Sequence, residues 1–402
     1  MEPINGKIIL KAGRDKPVRQ RHPWVFSGAI AGVEGEPAPG DLVLVADRNG
    51  RALATAYTNP HSQIRARILS WDVNEAIDAA FWQRRLARAI QARQLLALEP
   101  QTTAYRLVNA EADGLPGLVV DRYGRFLVLQ CLTLGIDRRK TLLAELLADL
   151  VQPEGIIERS DVDVRQKEGL SPATGLLWGA APPETMEILE NGLRFQVQLA
   201  GGHKTGFYLD QRENRAAVCQ PRLVAGKTVL NVFAYTGGFG VYAAAAGAAT
   251  ITHIDSSVEA LEQAEAHVAL NGWTRPSDEY IAGDAFEVLR YYRDAGQTFD
   301  VVILDPPKFA HSQRDVEQAC RGYKDLNWLA LRLLKPGGLL ATFSCSGLVS
   351  AELFQKVLFG AALDAGREVQ IMRFLHQGAD HPVLLSFPES AYLKGFLCQI
   401  AS

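Results

Sequence analysis

A chain of 402 residues with 48% hydrophobic and 22% charged side chains has the composition of a globular protein of two or three domains. Its net charge of -3 argues against indiscriminate binding to polyanions, and its five cysteines, few, odd in number and without a CxxC pair, indicate neither a disulfide framework nor a metal site. With no apolar run of membrane-spanning length and no signal-peptide core, the expected setting is cytoplasmic with reduced thiols.

The charge is unevenly spread. Residues 1–70 hold ten Lys/Arg and six Asp/Glu, so this stretch is basic and the rest of the chain is acidic. A basic module on an acidic body fits a protein that anchors one end on phosphates. Within it, Lys7–Leu10, Leu42–Val45, Ala52–Tyr57 and Ile64–Leu69 read as short strands, and Asn49-Gly50 signals a hairpin. This is a small β-barrel pattern over 1–73, with Arg65 and Arg67 on one face. Upstream, Arg14, Lys16, Arg19 and Arg21 cluster around Trp24, a mixture of cations and aromatic ring suited to RNA.

Residues 74–188 predict a small α+β domain. A helix over 75–99 carries Phe81, Leu86, Ile90 and Leu95 on one side and Arg84, Arg85, Arg88 and Arg93 on the other. Strands Tyr105–Val108, Leu118–Asp121 and Phe126–Gln130, a helix over Arg138–Leu150 and a strand Gly155–Glu158 follow, read together as a β-β-α-β-β order. Asp113 and Asp121 read as turn-setting residues.

From 189 onward, strands and helices alternate as in a doubly wound parallel sheet. The loop Gly201–Gly206 and the segment Phe207–Arg215 lead into it. Thr228–Tyr235 is a buried strand broken by Thr236-Gly237-Gly238-Phe239-Gly240, where the chain can approach a ligand closely. Asp255 ends the next strand and is placed to hold both hydroxyls of a ribose, with Ser256 beside it. Asp284 ends the strand Tyr280–Ala282, ahead of Ala285, and is placed to accept from an adenine amino group. Asn231, Phe233, Tyr235, Thr236 and Gly237 complete the expected cofactor rim. A nicotinamide dehydrogenase also uses a glycine turn and a ribose-binding acid. The turn here is Gly-Gly-x-Gly, however, and Asp305-Pro-Pro-Lys308-Phe309 and Leu334-Lys-Pro-Gly-Gly338 follow in the order of motifs found in S-adenosylmethionine-dependent methyltransferases.

The chain resembles the ribosomal RNA large subunit methyltransferase I family. The resemblance runs through His22-Pro-Trp-Val-Phe26, Asp113-Gly-Leu-Pro-Gly117, Lys204–Arg212, Asn231–Gly240, Asp305–Phe309 and Thr342-Phe-Ser-Cys-Ser346, and so covers essentially the whole length. It implies an α/β protein with an N-terminal PUA-type RNA-binding barrel, a central α+β domain and a C-terminal Rossmann-like methyltransferase sheet. It implies S-adenosylmethionine as cofactor, cytosine C5 of 23S ribosomal RNA as target, and Phe207 and Gln211 as shapers of the cofactor pocket. Oligomeric state stays open, with a homodimer among the options.

Carbon 5 of cytosine is a poor nucleophile, and a thiolate adding to C6 activates it. Cys345 follows an apolar strand and is the expected nucleophile. Asp305, at the end of the preceding strand, is expected to serve the N3 side and the cofactor rim. Lys308 reads as a local cation or phosphate contact, and Phe309 as a stacking surface for the base or a wall of the pocket. A residue pair without a second cysteine after the acid-proline motif leaves uracil open as a target, and acid-Pro-Pro turns also serve guanine-nitrogen methylation. A non-catalytic RNA assembly factor is the reading from a different class.

Overall fold

The computed structural model describes residues 2–200, 207–273 and 275–401. The chain forms two compact units. The first comprises Met1–Gly192, Gln196–Leu209 and Ala379–Ser390, and the second comprises Leu193–Phe195, Asp210–Gly378 and Ala391–Ser402. The loop Gly201–Gly206, including the Lys204-Thr-Gly part of the resemblance, lies outside the described residues.

The first unit begins with strands β1 (Ile4–Leu10), β2 (Trp24–Phe26), β3 (Ile30–Gly35), β4 (Leu42–Ala46), β5 (Ala52–Thr58) and β6 (Ile64–Ser70). They form one sheet in the order β2-β6-β5-β4-β1-β3. Period-2 alternation turns Ile8, Leu10, Val43, Val45, Ala54, Ala56 and Ile68 into one apolar cluster. The expected hairpin joins β4 to antiparallel β5. Its turn is fixed by Asp47, whose Oδ1 accepts from the backbone N–H of Asn49 and Arg51, and Gly50 supplies the left-handed residue at φ +80°.

A second sheet of the same unit holds β7 (Ala104–Asn109), β8 (Leu118–Tyr123), β9 (Phe126–Cys131), β10 (Gly155–Ser160) and β11 (Ala173–Gly179), in the order β11-β10-β9-β8-β7. Three strands precede the helix Lys140–Val151, which corrects the expected β-β-α-β-β order. The helix is the crossover that lets β9 and β10 run parallel. Strand β11 was not expected because it lies at the sheet edge and is mostly exposed, so its sequence carries no alternating pattern. The helix expected over 75–99 spans Ala79–Gln94, started by the Asp78 side chain accepting from Phe81 N–H at 3.0 Å. Arg93 does not line its wet side. It is buried and donates two 2.7 Å hydrogen bonds to Asp113.

After β12 (Met186–Glu190) and β13 (Leu193–Val197), the second unit builds a seven-stranded sheet. Its strands are β14 (Thr228–Val232), β15 (Thr250–Asp255), β16 (Glu279–Ala282), β17 (Phe299–Leu304), β18 (Leu334–Ser344), β19 (Val369–His376) and β20 (Lys394–Ile400), in the order β16-β15-β14-β17-β18-β20-β19. The strands β16, β15, β14, β17 and β18 are parallel, as expected of a doubly wound sheet; β20 pairs antiparallel to β18, and β19 pairs antiparallel to β20. Both faces are covered, so the strands read as continuous apolar runs rather than alternations. Leu230, Val232, Val302, Leu304 and Leu340 lose all exposure, each contributing roughly 1.5–3 kcal/mol. The helix Val316–Leu333 turns Ala319, Tyr323, Leu326, Ala330 and Leu333, at spacings of three and four, into that core. Parallel strands have all their carboxyl ends on one edge, which is where side chains can converge on a ligand.

Candidate active site

The loop after β14 has a backbone that few sequences tolerate. Phe233, Tyr235 and Gly237 take φ of +59°, +47° and +77°. Two non-glycine residues in the left-handed region cost about 1–3 kcal/mol each and persist where the surroundings hold them. Here Asp255 Oδ2 accepts from Tyr235 N–H at 2.8 Å, Ile254 O accepts from Ala234 N–H at 2.9 Å, and His267 Nδ1 bonds Thr236 O at 2.8 Å. A Cβ on Gly237 would stand 2.6 Å from that of Ala264, so only glycine lets the helices Gly238–Ala245 and Val258–Leu270 pack this closely. One β14 side chain, Asn231, is buried against His253 at 3.4 Å. That ring stacks on Tyr280 and is held neutral, its pKa pushed down to about 3 by burial.

The expected acids sit in sequence along the same edge. Asp255 is half-buried and its second oxygen accepts from Ser257 N–H, while Ser256 beside it is exposed. Asp284 is exposed and caps the helix Ala285–Asp294, with buried Ala285 as its first residue. The Thr236 hydroxyl is buried and has no hydrogen-bond partner among the described residues. Two acceptors, an unsatisfied hydroxyl and a raised backbone loop fit a neutral, hydroxyl-bearing nucleoside better than a phosphate ligand. Phe207 is buried and belongs to the first unit.

Strands β17 and β18 are parallel neighbours with Leu304 opposite Thr342, so Asp305 comes one residue and Cys345 three residues past the last paired rung. The two groups therefore leave adjacent carboxyl ends. Gln211 Nε2 donates to Asp305 Oδ1 at 2.9 Å, and Asn214 Nδ2 donates to Gln211 Oε1 at 2.6 Å. A buried amide thus sets the rotamer of the acid. Cys345 is half-buried, whereas Cys131, Cys219 and Cys398 are buried and their thiols are pushed up to about 12 by desolvation. Cys320 lies on the helix Val316–Leu333 and is partly buried. Phe309 packs on Tyr323 at 4.6 Å and tilts toward Phe286, a wall position. Lys308, on the Pro-Pro turn, is exposed.

Two residues at this edge carry no sequence motif. The Tyr323 hydroxyl bonds Ser344 Oγ and Ser346 Oγ at 3.0 Å each. Lys394 is buried at the start of β20, opposite Ser344. Its one signal in the sequence is a lone cation heading the apolar strand Lys394–Ile400.

The basic residues of the first unit separate into two groups. Arg14 and Lys16 are exposed, and Arg65 is half-buried. Arg67 is not available for RNA: it is 5% exposed, donates to Glu168 at 3.0 Å and lies 3.6 Å from Glu111. Arg19 is paired with Asp15 and Asp47, and Arg21 lies over the Trp71 ring. Trp24 is engaged too. Its Nε1–H donates to Glu111 at 2.7 Å and its ring meets Phe387 edge-on at 4.6 Å.

Residues 163–384 match the model of an S-adenosylmethionine-dependent methyltransferase family, and residues 8–71 match a PUA-like domain. The chain is 51% identical to ribosomal RNA large subunit methyltransferase I of Shewanella denitrificans, over 98% of this chain and 99% of that one. It is 48% identical to the protein of the same name from Cronobacter sakazakii, with equal coverage. The chain belongs to the ribosomal RNA large subunit methyltransferase I family. Its cofactor is S-adenosylmethionine, and the Asp255, Asp284 and Thr236 groups fit the adenosine half of that molecule. A solved chain from Streptococcus mutans, described as a candidate methyltransferase of the same cofactor class, superposes with a TM-score of 0.85 at 24% identity over 98% of this chain and 99% of that one, a likeness of fold.

Proposed function

We propose that this methyltransferase modifies C5 of a cytosine in large-subunit (23S) ribosomal RNA through a covalent bond from Cys345 to C6. The observation that carries the reading is the placement of a half-buried thiol and an amide-oriented carboxyl at adjacent carboxyl ends of β17 and β18. The family's printed name supplies the RNA class, and the PUA-like match supplies a module for holding it.

Asp255 and Asp284 would hold the ribose and adenine, with the Phe233–Gly237 loop beneath. When bound, S-adenosylmethionine supplies an electrophilic methyl group. The Cys345 thiolate forms the S–C6 bond as the C5–C6 π bond opens, which places the electron pair on C5. Asp305, protonated, gives its proton to N3 so that no anion accumulates on the ring. After methylation the C5 proton leaves to a base, the double bond re-forms, the S–C6 bond breaks, and the N3 proton returns to Asp305. Phe309, backed by buried Tyr323, offers an apolar wall, and the nucleotide leaves its stack to reach the edge. Mapping of methylated bases in 23S RNA from cells with and without the protein tests this. Loss of one 5-methylcytosine is expected. Loss of a methylguanine or a 5-methyluridine instead would replace the reading.

A further inference from the structure

Lys394 is 7% exposed, an unusual place for an ammonium. It stands opposite Ser344 in the β18–β20 register, one residue before the sulfur. Its Nζ donates to Ser346 O at 2.6 Å and to Val349 O at 2.7 Å, closing the turn that follows Cys345. The same turn is braced elsewhere. Tyr323 OH bonds the hydroxyls on both sides of Cys345, and Ala310 N–H donates to Ser346 Oγ at 3.3 Å. Both neighbours of Cys345 are buried and fixed while Cys345 itself reaches the surface of the edge.

Two carbonyls do not require a buried charge. A neutral donor would satisfy them without desolvating an ammonium. Burial pulls the Lys394 ammonium down to about 8. Cys345 opposes that shift, and Lys308 pushes with it. What the lysine adds over a neutral donor is positive charge beside the sulfur. Among the described residues, Tyr323, whose hydroxyl burial holds above its ordinary range, and exposed His376, in the opposite rung on β19, also face this corner.

We propose that Lys394 is a positioning residue for Cys345: it clamps the turn carrying the sulfur and, while protonated, supplies the positive charge against which the thiol ionises. The thiol proton leaves to solvent and the electron pair remains on sulfur. The proposal rests on the reading of Cys345 as nucleophile. It is tested on the full chain by following iodoacetamide alkylation of Cys345 against pH, with the modified peptide quantified by mass spectrometry. The wild-type midpoint is expected about one pH unit or more below the ordinary thiol value of about 8.5. In Lys394→Met the midpoint should rise by about one unit or more. A wild-type midpoint at or above 8.5, or a Lys394→Met profile that superposes on wild type, overturns the proposal. The wild-type profile needs no substitution, so a misfolded variant leaves the test standing. Methyl transfer by Cys345→Ala separates the two readings. A low midpoint with an active Cys345→Ala protein discards the nucleophile and, with it, the catalytic purpose of Lys394. An ordinary midpoint with an inactive one keeps the nucleophile and discards Lys394.

Discussion

The basic stretch of the first unit and the carboxyl edge of the seven-stranded sheet were both read as sites, and the structure treats them differently. At the sheet edge, Asp255 ends its strand and Asp284, Asp305 and Cys345 follow theirs, and a strand end in a parallel sheet has one place to go. In the first unit, the alternation that put Arg65 and Arg67 on one strand face was right about the backbone and wrong about the environment. The face carrying Arg67 is covered by Glu168, which comes from 101 residues away in the chain. A side chain at a strand end is placed by its own strand. A long cationic side chain takes its meaning from partners that are remote in sequence.

The sharpest break between the two regions comes from Cys345→Ala. Removing a covalent nucleophile should lower methyl transfer by more than about 10³-fold, while calorimetric binding of S-adenosylmethionine and thermal stability stay near wild type. In the first unit, Arg67→Ala should act on stability instead. It leaves Glu168 buried without its cation and costs about 3–5 kcal/mol by urea denaturation. Arg14→Ala and Lys16→Ala should do the reverse, changing stability by less than about 0.5 kcal/mol and each reducing the salt slope of RNA binding by about 1. If Arg67→Ala matched those two, its role would be RNA contact after all.

The acid limb of stability sharpens the contrast from the other side. His253 is neutral in the folded second unit, with its pKa lowered from 6.5 to about 3 by burial. Between those values the unfolded chain holds a proton that the native chain lacks, so stability falls as pH falls below 6.5. The loss should reach about 2–3 kcal/mol by pH 4.5, read as a drop in urea midpoint. His253→Gln should remove about that much of the acid dependence.

Much of the fold was legible because turn residues, strand alternation and continuous apolar runs are local signals. Asn49-Gly50, the strands β4 to β6 and the five parallel strands all came from such patterns. Edge strand β11 did not, since an exposed strand has no core face to print in the sequence. At the candidate site, the strand-end positions of the acids and the thiol were legible in the sequence. Lys394, Tyr323 and the left-handed Phe233 and Tyr235 were not. The first two come to the edge through β18–β20 register and helix packing, and the last two through backbone hydrogen bonds that no spacing encodes.

The central claim is a bond between Cys345 and a pyrimidine C6, and trapping that bond tests it most directly. Ribosomal RNA carrying 5-fluorocytidine has no removable proton at C5, so an adduct formed during turnover cannot resolve. Incubated with the protein and S-adenosylmethionine, then denatured and digested, it should yield a nucleotide-linked peptide containing Cys345. Methyl transfer to natural RNA with no such adduct, or an adduct on Cys320, would contradict the account.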